Sequence, residues 1–293
     1  MNNLTSTIAI IDIGSNSVRL LLTNGVFFNK KLITTRLAEN KSQLNELNLN
    51  SVLRTVDAIT QFQTLAKEQG VTKIYAFATE AVRSSKNRSE FLQLVKNATG
   101  LEVDVLSGEL EAEIGLLGAN LGSDGSIIDI GGASTEIAVQ KGGKIIYKKS
   151  VPLGAVSLSQ IPFKSNIELK LYVDDITREF KGAPVFNVKA IGGTSTALAT
   201  VDLKLEFYDP LKTDGHYLSL TNLEKITNEA FSVSPSVLCE RYAITKSRAE
   251  VLSGGAYILE SILKTLNLSG VSVSEKDNLE GYFFKVINGY EKR

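Results

Sequence analysis

Two turns in the sequence could bind an anion, because each places an aspartate, glycine and hydroxyl side chains directly after an apolar run. The first, Asp12-Ile-Gly-Ser-Asn-Ser17, follows two isoleucines, and so does the second, Asp129-Ile-Gly-Gly-Ala-Ser-Thr-Glu136. Glycine lets the backbone turn sharply and approach a ligand, and successive N–H groups then form an anion nest to which hydroxyls add donors. A carboxylate at the strand end can hold a metal ion or a water molecule. One such stretch is consistent with a plain hairpin, but two of them indicate a binding site.

A third turn has a similar composition. The strand predicted over Val185–Ile191 runs into Gly192-Gly193-Thr194-Ser195, and the residues that follow are predicted to be helical. A glycine pair and hydroxyls at the start of a helix can bind an anion. The same pattern is also a common way to pass from a strand to a helix, and both interpretations stay open at this point.

Charged side chains near these turns are candidates for the same chemistry. Arg19 follows the first turn, and Arg83 lies in a basic stretch between a strand and a helix. Either guanidinium could bind phosphate or could simply be a solvated charge, and both interpretations stay open. Glu109, Glu111 and Glu113 fall at a predicted helix N-terminus, where acidic residues favour the helix dipole, so the sequence does not rank them as catalysts. The same helix carries small residues that favour close packing on another element: Ala112, Gly115, Gly118 and Ala119.

Hydrophobic periodicity places these residues in two similar halves. Each half is predicted to open with a three-stranded meander whose first turn carries the aspartate and glycine. The predicted fold class is therefore α/β, with one domain over residues 1–120 and another over 121–293, whose last helix could pack back on the first. The turns of such domains converge in a cleft between them, where Asp12 and Asp129 could organise a divalent ion.

Composition limits the classes of function. The chain has 293 residues, is 43% hydrophobic and 22% charged, and has a formal net charge of +0, so no global basic field gathers nucleic acid. Cys239 is the single cysteine, which excludes an internal disulfide and indicates a reducing compartment. The first residues lack the pattern of a signal peptide, and no segment approaches the ~20 apolar residues of a membrane span. We therefore expect a cytoplasmic protein with no membrane partner.

Six short motifs stand in order along the chain: Asp12-Ile-Gly-Ser-Asn-Ser-Val-Arg19, Ala78-Thr-Glu-Ala-Val-Arg83, Ser107-Gly-x-x-Glu111-Ala112, the turn from Asp129 to Glu136, Gly192-Gly-Thr194 and Arg248-Ala-Glu-Val-Leu-Ser-Gly-Gly-Ala256. Together they closely resemble the exopolyphosphatase / guanosine pentaphosphate phosphohydrolase family, which belongs to the actin, sugar kinase and heat-shock chaperone superfamily. The resemblance covers almost the whole chain. It implies two duplicated ribonuclease H-like domains, each with a mixed five-stranded sheet and flanking helices, around an interdomain cleft.

The resemblance also implies an activity: an exopolyphosphatase that releases terminal phosphate from inorganic polyphosphate with Mg²⁺ or Mn²⁺. Guanosine pentaphosphate or tetraphosphate is the alternative partner, and a homodimer is the expected assembly. By this resemblance Glu111 would activate water, Glu136 would be a second catalytic carboxylate, and Asp129 and Asp12 would hold the metal. Phosphate would be bound by Gly14, Ser15, Asn16, Ser17, Arg19, Arg83, Gly131, Gly132, Ala133, Ser134, Thr135, Gly192, Gly193, Thr194 and Ser195.

Two places depart from the family pattern. Ala133 stands where the family usually has glycine; this costs about 1 kcal/mol if the backbone needs a positive φ there, and nothing if φ is negative. Ser274–Gly281 matches the family's Ser-Asp-x-Gly-x-x-x-Gly-like segment only weakly. Ala133 keeps open a non-catalytic sensor of an alarmone or polyphosphate, and Gly192–Thr194 keeps open an ATP-using kinase or ATPase.

Overall fold

The computed structural model describes residues 7–39 and 45–288 of the chain. Contacts divide the chain into two compact units, one formed by Met1–Ser107 with Tyr282–Arg293 and the other by Gly108–Gly281. The helix that precedes the boundary predicted at residue 120 therefore packs with the second unit. The first residues of the chain, from which the absence of a signal peptide was predicted, lie outside the described residues.

A five-stranded mixed sheet organises the first unit, with strand order β3-β2-β1-β4-β5. β2 is antiparallel to both β1 and β3, whereas β4 is parallel to β1 and β5 to β4. β1 is buried along its whole length because it lies in the middle of the sheet, which explains its continuous apolar run. The elements are β1 Ile8–Ile13, β2 Ser17–Thr23, β3 Phe28–Thr34, α1 Leu49–Glu68, β4 Lys73–Ala78, α2 Glu80–Arg83, α3 Arg88–Thr99 and β5 Val103–Val105.

Local sequence signals set the ends of these elements. The Asn24-Gly25 pair joins β2 to β3, with Gly25 at φ 88° and the Asn24 side chain accepting from the N–H of Val26 at 3.0 Å. Helix α1 begins after Asn48, whose side chain accepts from the N–H of Asn50 at 2.9 Å, and it ends before Gly70 at φ 74°. The meander and this helix agree with the predicted pattern.

A six-stranded sheet organises the second unit, with strand order β10-β11-β9-β6-β7-β8. A hydrophobic core lies between this sheet and the helices around α11. The elements are α4 Gly108–Asn120, β6 Gly125–Ile130, β7 Thr135–Lys141, β8 Lys144–Val151, α5 Ala155–Ser159, α6 Asn166–Thr177, a 3₁₀ turn Arg178–Phe180, β9 Val188–Ile191, α7 Gly192–Asp202, α8 Pro210–Thr213, β10 Tyr217–Ser219, α9 Leu220–Ser232, α10 Pro235–Arg241, α11 Lys246–Thr265 and β11 Gly270–Val273. The last helix, α12 Asn278–Ile287, begins in the second unit, and its residues from Tyr282 onward belong to the first.

The prediction of five strands in each sheet is wrong for the second one. The additional strand, β10, has three residues, pairs antiparallel with β11 and lies at the edge of the sheet. Three residues are too few to show an alternating pattern, which is why periodicity did not reveal this strand. Within the described residues, no helix combines the length and the apolar character needed to cross a membrane.

The two sheets repeat one pattern. The meander β6-β7-β8 repeats β1-β2-β3, and β9 lies parallel to β6 as β4 lies parallel to β1. The repeat extends to the register, because Asp12 pairs with Arg19 on β2 while Asp129 pairs with Glu136 on β7. The predicted α/β class with two duplicated domains is therefore confirmed.

Candidate active site

The turns that follow β1 and β6 have the same geometry. The N–H of Gly14 donates to the carbonyl of Ser17 at 3.1 Å, and the N–H of Gly131 donates to the carbonyl of Ser134 at 2.9 Å. A β-carbon on either glycine would lie 3.1 Å from that same carbonyl oxygen. Glycine at this position therefore lets each turn close tightly between its two strands.

Each turn is held by backbone donors from the segment that follows the third strand of its meander. The carbonyl of Asn16 accepts from the N–H groups of Thr35 and Arg36 at 3.1 and 2.8 Å. In the same way, the carbonyl of Gly132 accepts from two N–H groups at the start of α5 at 2.8 and 2.9 Å. These hydrogen bonds occupy carbonyl oxygens that would otherwise repel an anion. Both turns are therefore suited to direct N–H donors toward an anion.

The side chains of the two turns are used differently. In the first turn the Asn16 amide nitrogen and the Ser17 hydroxyl are buried and have no hydrogen-bond partner among the described residues. In the second turn the Ser134 hydroxyl hydrogen-bonds to Glu136, and the Thr135 hydroxyl donates to the carbonyl of Leu153. The first turn thus leaves side-chain donors open, whereas the second offers chiefly its backbone.

Ala133 fits its turn without backbone strain, because it is not among the described residues with positive φ. The close approach occurs instead from Gly154, which precedes α5. A β-carbon at Gly154 would lie 2.3 Å from the backbone nitrogen of Ala133 and 2.4 Å from the carbonyl carbon of Gly132. The glycine that this turn requires on steric grounds is therefore Gly154.

The third turn is the first turn of helix α7 and not a loop before it. The helix begins at Gly192, whose φ is 79°, although the sequence predicted helical structure only from Ala197. The glycine pair permits the abrupt entry from β9, and the first N–H groups of a helix are natural anion donors. Thr194 donates its hydroxyl to the carbonyl of Ile130 at 3.0 Å, and the Ser195 hydroxyl is buried without a partner in the described part of the chain.

Asp129 joins the second and third turns. A β-carbon on Gly192 would lie 2.7 Å from its Oδ1, so this carboxylate rests against the α-carbon of that glycine. Its Oδ2 accepts a hydrogen bond from the Asn278 amide at 2.8 Å. Since Thr194 also contacts the end of β6, the structure brings these two predicted turns together around one buried carboxylate.

The structure separates the three glutamates of helix α4. Glu109 and Glu113 are exposed or half-buried and lie 3.5 and 3.6 Å from the ammonium of Lys148. Glu111 lies on another face of the helix and is only 5% exposed. There its charge is close enough to raise the pKa of Glu136. Geometry therefore favours the same glutamate that the family resemblance had ranked first.

Glu136 is a completely buried carboxyl whose pKa is raised well above its ordinary value. Burial is the main cause, and the negative charges of Glu111 and Asp129 add to it. Hydrogen bonds from Ser134 and Ser150, the latter at 2.7 Å to Oε1, act in the opposite direction. Oε2 has no partner among the described residues. The second unit thus holds three carboxylates in one buried cluster.

The predicted basic residues of the first unit are bound to carboxylates. Arg19 donates its Nε to Asp12 at 2.8 Å and also its Nη2, so the two predicted site residues form an ion pair. Arg83 donates to Glu80 at 2.9 Å and to the carbonyl of Leu106 at 2.5 Å. Each guanidinium is therefore held in a fixed position by its neighbours.

Two residues without a predicted role belong to the site of the second unit. Asn278 contacts Asp129, as described above, and lies in the segment that matched the family pattern only weakly. Arg248 packs its guanidinium on Gly193, where a β-carbon would come within 2.0 Å of its Nη2. Its motif was recognised in the sequence, but nothing in the sequence showed that it reaches the third turn.

The donor set fits a magnesium ion that is completed by substrate. No group of three or more His, Cys, Asp or Glu side chains within residues 7–39 and 45–288 is arranged to hold a metal ion. Mg²⁺ at phosphate sites is commonly held by one or two carboxylates together with substrate phosphates and water, so one well-placed aspartate is sufficient. Asp129 meets this requirement, whereas the carboxylate of Asp12 is shared with Arg19.

The duplicated fold thus carries buried carboxylates beside two of the predicted glycine turns. The model of the Ppx/GppA phosphatase family matches residues 25–288, and the chain therefore belongs to that family. The family resemblance found in the sequence motifs is confirmed.

Similar proteins of known name cover nearly all of this chain. It is 28% identical to the bifunctional 3-dehydroquinate synthase/phosphatase of Fusobacterium nucleatum over 97% of the chain, and 24% identical to the guanosine-5'-triphosphate,3'-diphosphate pyrophosphatase of Photobacterium profundum over 98%. The chain spans only 47% and 60% of the length of these two relatives.

Solved structures show the same fold. The Aquifex aeolicus member of the Ppx/GppA family superimposes with a TM-score of 0.79 at 28% identity, covering 98% of this chain and 99% of that one. An exopolyphosphatase from Cytophaga hutchinsonii superimposes with a TM-score of 0.87 at 20% identity, with the same coverage, and bears on the fold alone.

Proposed function

We propose that this chain hydrolyses phosphoanhydride bonds and releases terminal phosphate from inorganic polyphosphate. The cluster formed by Glu111, Asp129 and Glu136 beside two anion-binding turns is the observation that carries the proposal. Like charges placed together in an interior weaken a fold, and they are typical of sites where chemistry requires them. Membership of a phosphatase family supports the same reaction class.

The proposed reaction needs one base and one set of anion donors. A water molecule attacks the terminal phosphorus, the bond from that phosphorus to the bridging oxygen breaks, and the shortened chain leaves with the bridging oxygen and its electron pair. The Glu111 carboxylate accepts the proton of the attacking water. Backbone N–H groups of Gly132 and Ala133 and of the first turn of α7 bind phosphoryl oxygens, because most of the catalysis in phosphoryl transfer comes from positioning and charge stabilisation.

Glu136 has a different role from Glu111 in this proposal. Because burial and the charges of Glu111 and Asp129 raise its pKa, it keeps its proton to a higher pH than an ordinary glutamate. A protonated carboxyl donates a hydrogen bond to a phosphoryl oxygen and adds no negative charge to an already acidic site.

Asp129 is the residue proposed to hold Mg²⁺ or Mn²⁺, with Asp12 as the second candidate. When bound, such an ion would neutralise charge on the phosphoryl oxygens. The contact of Asp129 with Asn278 and Gly192 keeps its carboxylate in one orientation for this task.

Guanosine pentaphosphate is the second candidate substrate. A relative that covers 98% of this chain carries the name of a guanosine-5'-triphosphate,3'-diphosphate pyrophosphatase. Both candidates end in a phosphoanhydride and require the same attack, so the carboxylate cluster does not distinguish them. Side-by-side kcat/KM values for the two substrates would.

The base is tested by Glu111→Gln, with Glu109→Gln as the control on the same helix. The first substitution removes a buried carboxylate beside Glu136, and the second removes an exposed one near Lys148. We expect phosphate release to fall by about 10²–10⁴-fold in Glu111→Gln and to stay near wild type in the control. Wild-type turnover in Glu111→Gln, with an unchanged circular dichroism spectrum, would refute the role of base.

A substrate panel tests the reaction class. Phosphate release is measured from polyphosphates of several lengths, guanosine pentaphosphate and ATP, each with Mg²⁺ and with Mn²⁺. Tight binding of polyphosphate or guanosine tetraphosphate in calorimetry with no release from any substrate would favour a sensor, and fastest turnover of ATP would favour an ATPase. The homodimer and the cytoplasmic location stay predictions.

A further inference from the structure

Asn278 makes a direct contact with the carboxylate cluster, although it lies far away in the sequence. It is the first residue of α12, is 5% exposed, and donates its amide to Oδ2 of Asp129 at 2.8 Å across 149 residues of chain. An ionised carboxylate only accepts hydrogen bonds, so the amide nitrogen must be the atom that faces it. The Asn278 amide oxygen has no partner in the part of the chain that the structure describes.

Asn278 is fixed by an unusually close contact between α4 and the start of α12. A β-carbon at Gly118 would lie 2.0 Å from the carbonyl oxygen of Asp277, and one at Gly281 would lie 1.8 Å from the carbonyl oxygen of Ile114. Glycine on both helices therefore lets the two backbones touch. This contact explains the small residues that the sequence showed along α4.

The same helix contact determines the position of the Asn278 side chain. A β-carbon at Gly115 would come within 2.8 Å of the Asn278 amide oxygen, so that oxygen packs on the glycine α-carbon. The first turn of α12 is closed by its own side chains, because the N–H of Asp277 donates to Glu280 at 3.0 Å and the N–H of Leu279 donates to Asp277 at 3.0 Å. The amide of Asn278 is thus directed to Asp129 by packing on one side and by a capped helix on the other.

We propose that Asn278 is a positioning residue that sets the orientation of the Asp129 carboxylate for the reaction. Its amide holds Oδ2, while the α-carbon of Gly192 lies against Oδ1, so rotation of the carboxylate is limited at both oxygens. An asparagine suits this place because another acid here would add to the negative charge of Glu111 and Asp129. The role rests on the proposed phosphoanhydride hydrolysis.

The test is a double-mutant cycle between Asn278 and Asp129, read as kcat and KM for phosphate release. Asn278→Ala removes the donor, and Asn278→Asp keeps the shape but replaces the donor with a charge. We expect kcat to fall about 10–100-fold in Asn278→Ala and at least as far in Asn278→Asp, with KM nearly unchanged, as is typical when a carboxylate proposed to hold a metal ion loses its supporting hydrogen bond. Asn166→Ala, at the exposed first residue of α6, is the control and should match wild type.

The cycle separates positioning from general stability. If Asn278 acts through Asp129, Asn278→Ala causes no further loss of kcat in an Asp129→Asn background, whereas two independent losses would multiply. Circular dichroism melts of every variant show whether the fold persists. If Asn278→Ala does not fold, Asn278→Asp takes its place in the double-mutant cycle.

Multiplicative losses, or wild-type kcat in both Asn278 variants, would overturn this inference and leave the proposed function intact. Absence of phosphate release from polyphosphate and guanosine pentaphosphate by the wild-type protein would instead overturn the proposed function, and the positioning role with it.

Discussion

Glu136→Gln should make the protein more stable at neutral pH while it removes activity. The carboxyl of Glu136 is fully buried beside the charges of Glu111 and Asp129, and its pKa is raised from the ordinary value of 4.5. Below its unfolded pKa this carboxyl is protonated in both states and does not weaken the fold. As pH rises from the unfolded pKa to the folded pKa, the unfolded state gives up its proton first, so the free energy of unfolding decreases. Glutamine is isosteric and cannot ionise, so it removes that loss.

The magnitude follows from the linkage between pKa and stability. Each pH unit between the unfolded and the folded pKa lowers the free energy of unfolding by about 1.4 kcal/mol. Counted from the ordinary pKa of 4.5, the loss of stability at pH 7.5 is at most about 4 kcal/mol. The new amide nitrogen must find an acceptor where Oε2 now lies, which could cost about 1–3 kcal/mol. The Ser150 hydroxyl can still donate to the remaining oxygen. We therefore expect a net gain of at most about 1–3 kcal/mol at pH 7.5, which falls as pH is lowered and becomes a net loss of about 1–3 kcal/mol near pH 4.5, where only the cost of the amide remains.

Urea unfolding at pH 5 and pH 8 in the presence of EDTA measures this effect. The chain has no tryptophan, so circular dichroism is the appropriate signal. Glu109→Gln on exposed helix surface is the control and should show no pH-dependent gain. A Glu136→Gln variant that is less stable than wild type at pH 8, or whose advantage does not shrink at pH 5, would refute the assignment of a raised pKa.

Two further predictions concern the second turn: one changes Ala133 in the turn, and the other changes Gly154, which packs against it. Ala133→Gly should not raise turnover and should cost at most about 1 kcal/mol of stability, because Ala133 already has an unstrained φ; a tenfold or larger gain in kcat/KM would contradict this. Gly154→Ala should lower both the melting temperature and kcat, because its β-carbon would meet backbone atoms of the turn at 2.3–2.5 Å, and overpacking of this kind costs about 1–3 kcal/mol. Gly143→Ala, at a φ of 71° with open space, is the control that changes stability without changing kcat.

The repeated turns could be predicted because their chemistry is local. An aspartate, a glycine and hydroxyls after a buried strand are sufficient to indicate both the turn and its position, and Asp12 and Asp129 indeed end equivalent strands. The role of each hydroxyl could not be predicted in this way. Thr135 and Thr194 donate to backbone carbonyls, and only the folded chain shows which hydroxyl faces its own backbone and which, such as Ser17, does not.

Contacts between distant parts of the chain were beyond the sequence for a different reason. Asn278 and Arg248 reach the site because whole helices pack in one arrangement, and a single sequence does not show which helices pack together. For the same reason, residue spacing alone could not rank Glu111 above Glu109 and Glu113, and only the family resemblance did so. Helical spacing shows that these residues diverge, but it does not show which face of α4 is buried.

The two duplicated turns differ in chemistry because of a single cross-strand position. Opposite the aspartate, the first unit has Arg19 and the second has Glu136. In the first unit the result is an ion pair in which Asp12 is neutralised. In the second unit the result is a cluster of acids in which one pKa is raised well above its ordinary value. Since backbone geometry is the same in both turns, the residue at this position, and not the fold, gives the two turns opposite electrostatic surroundings.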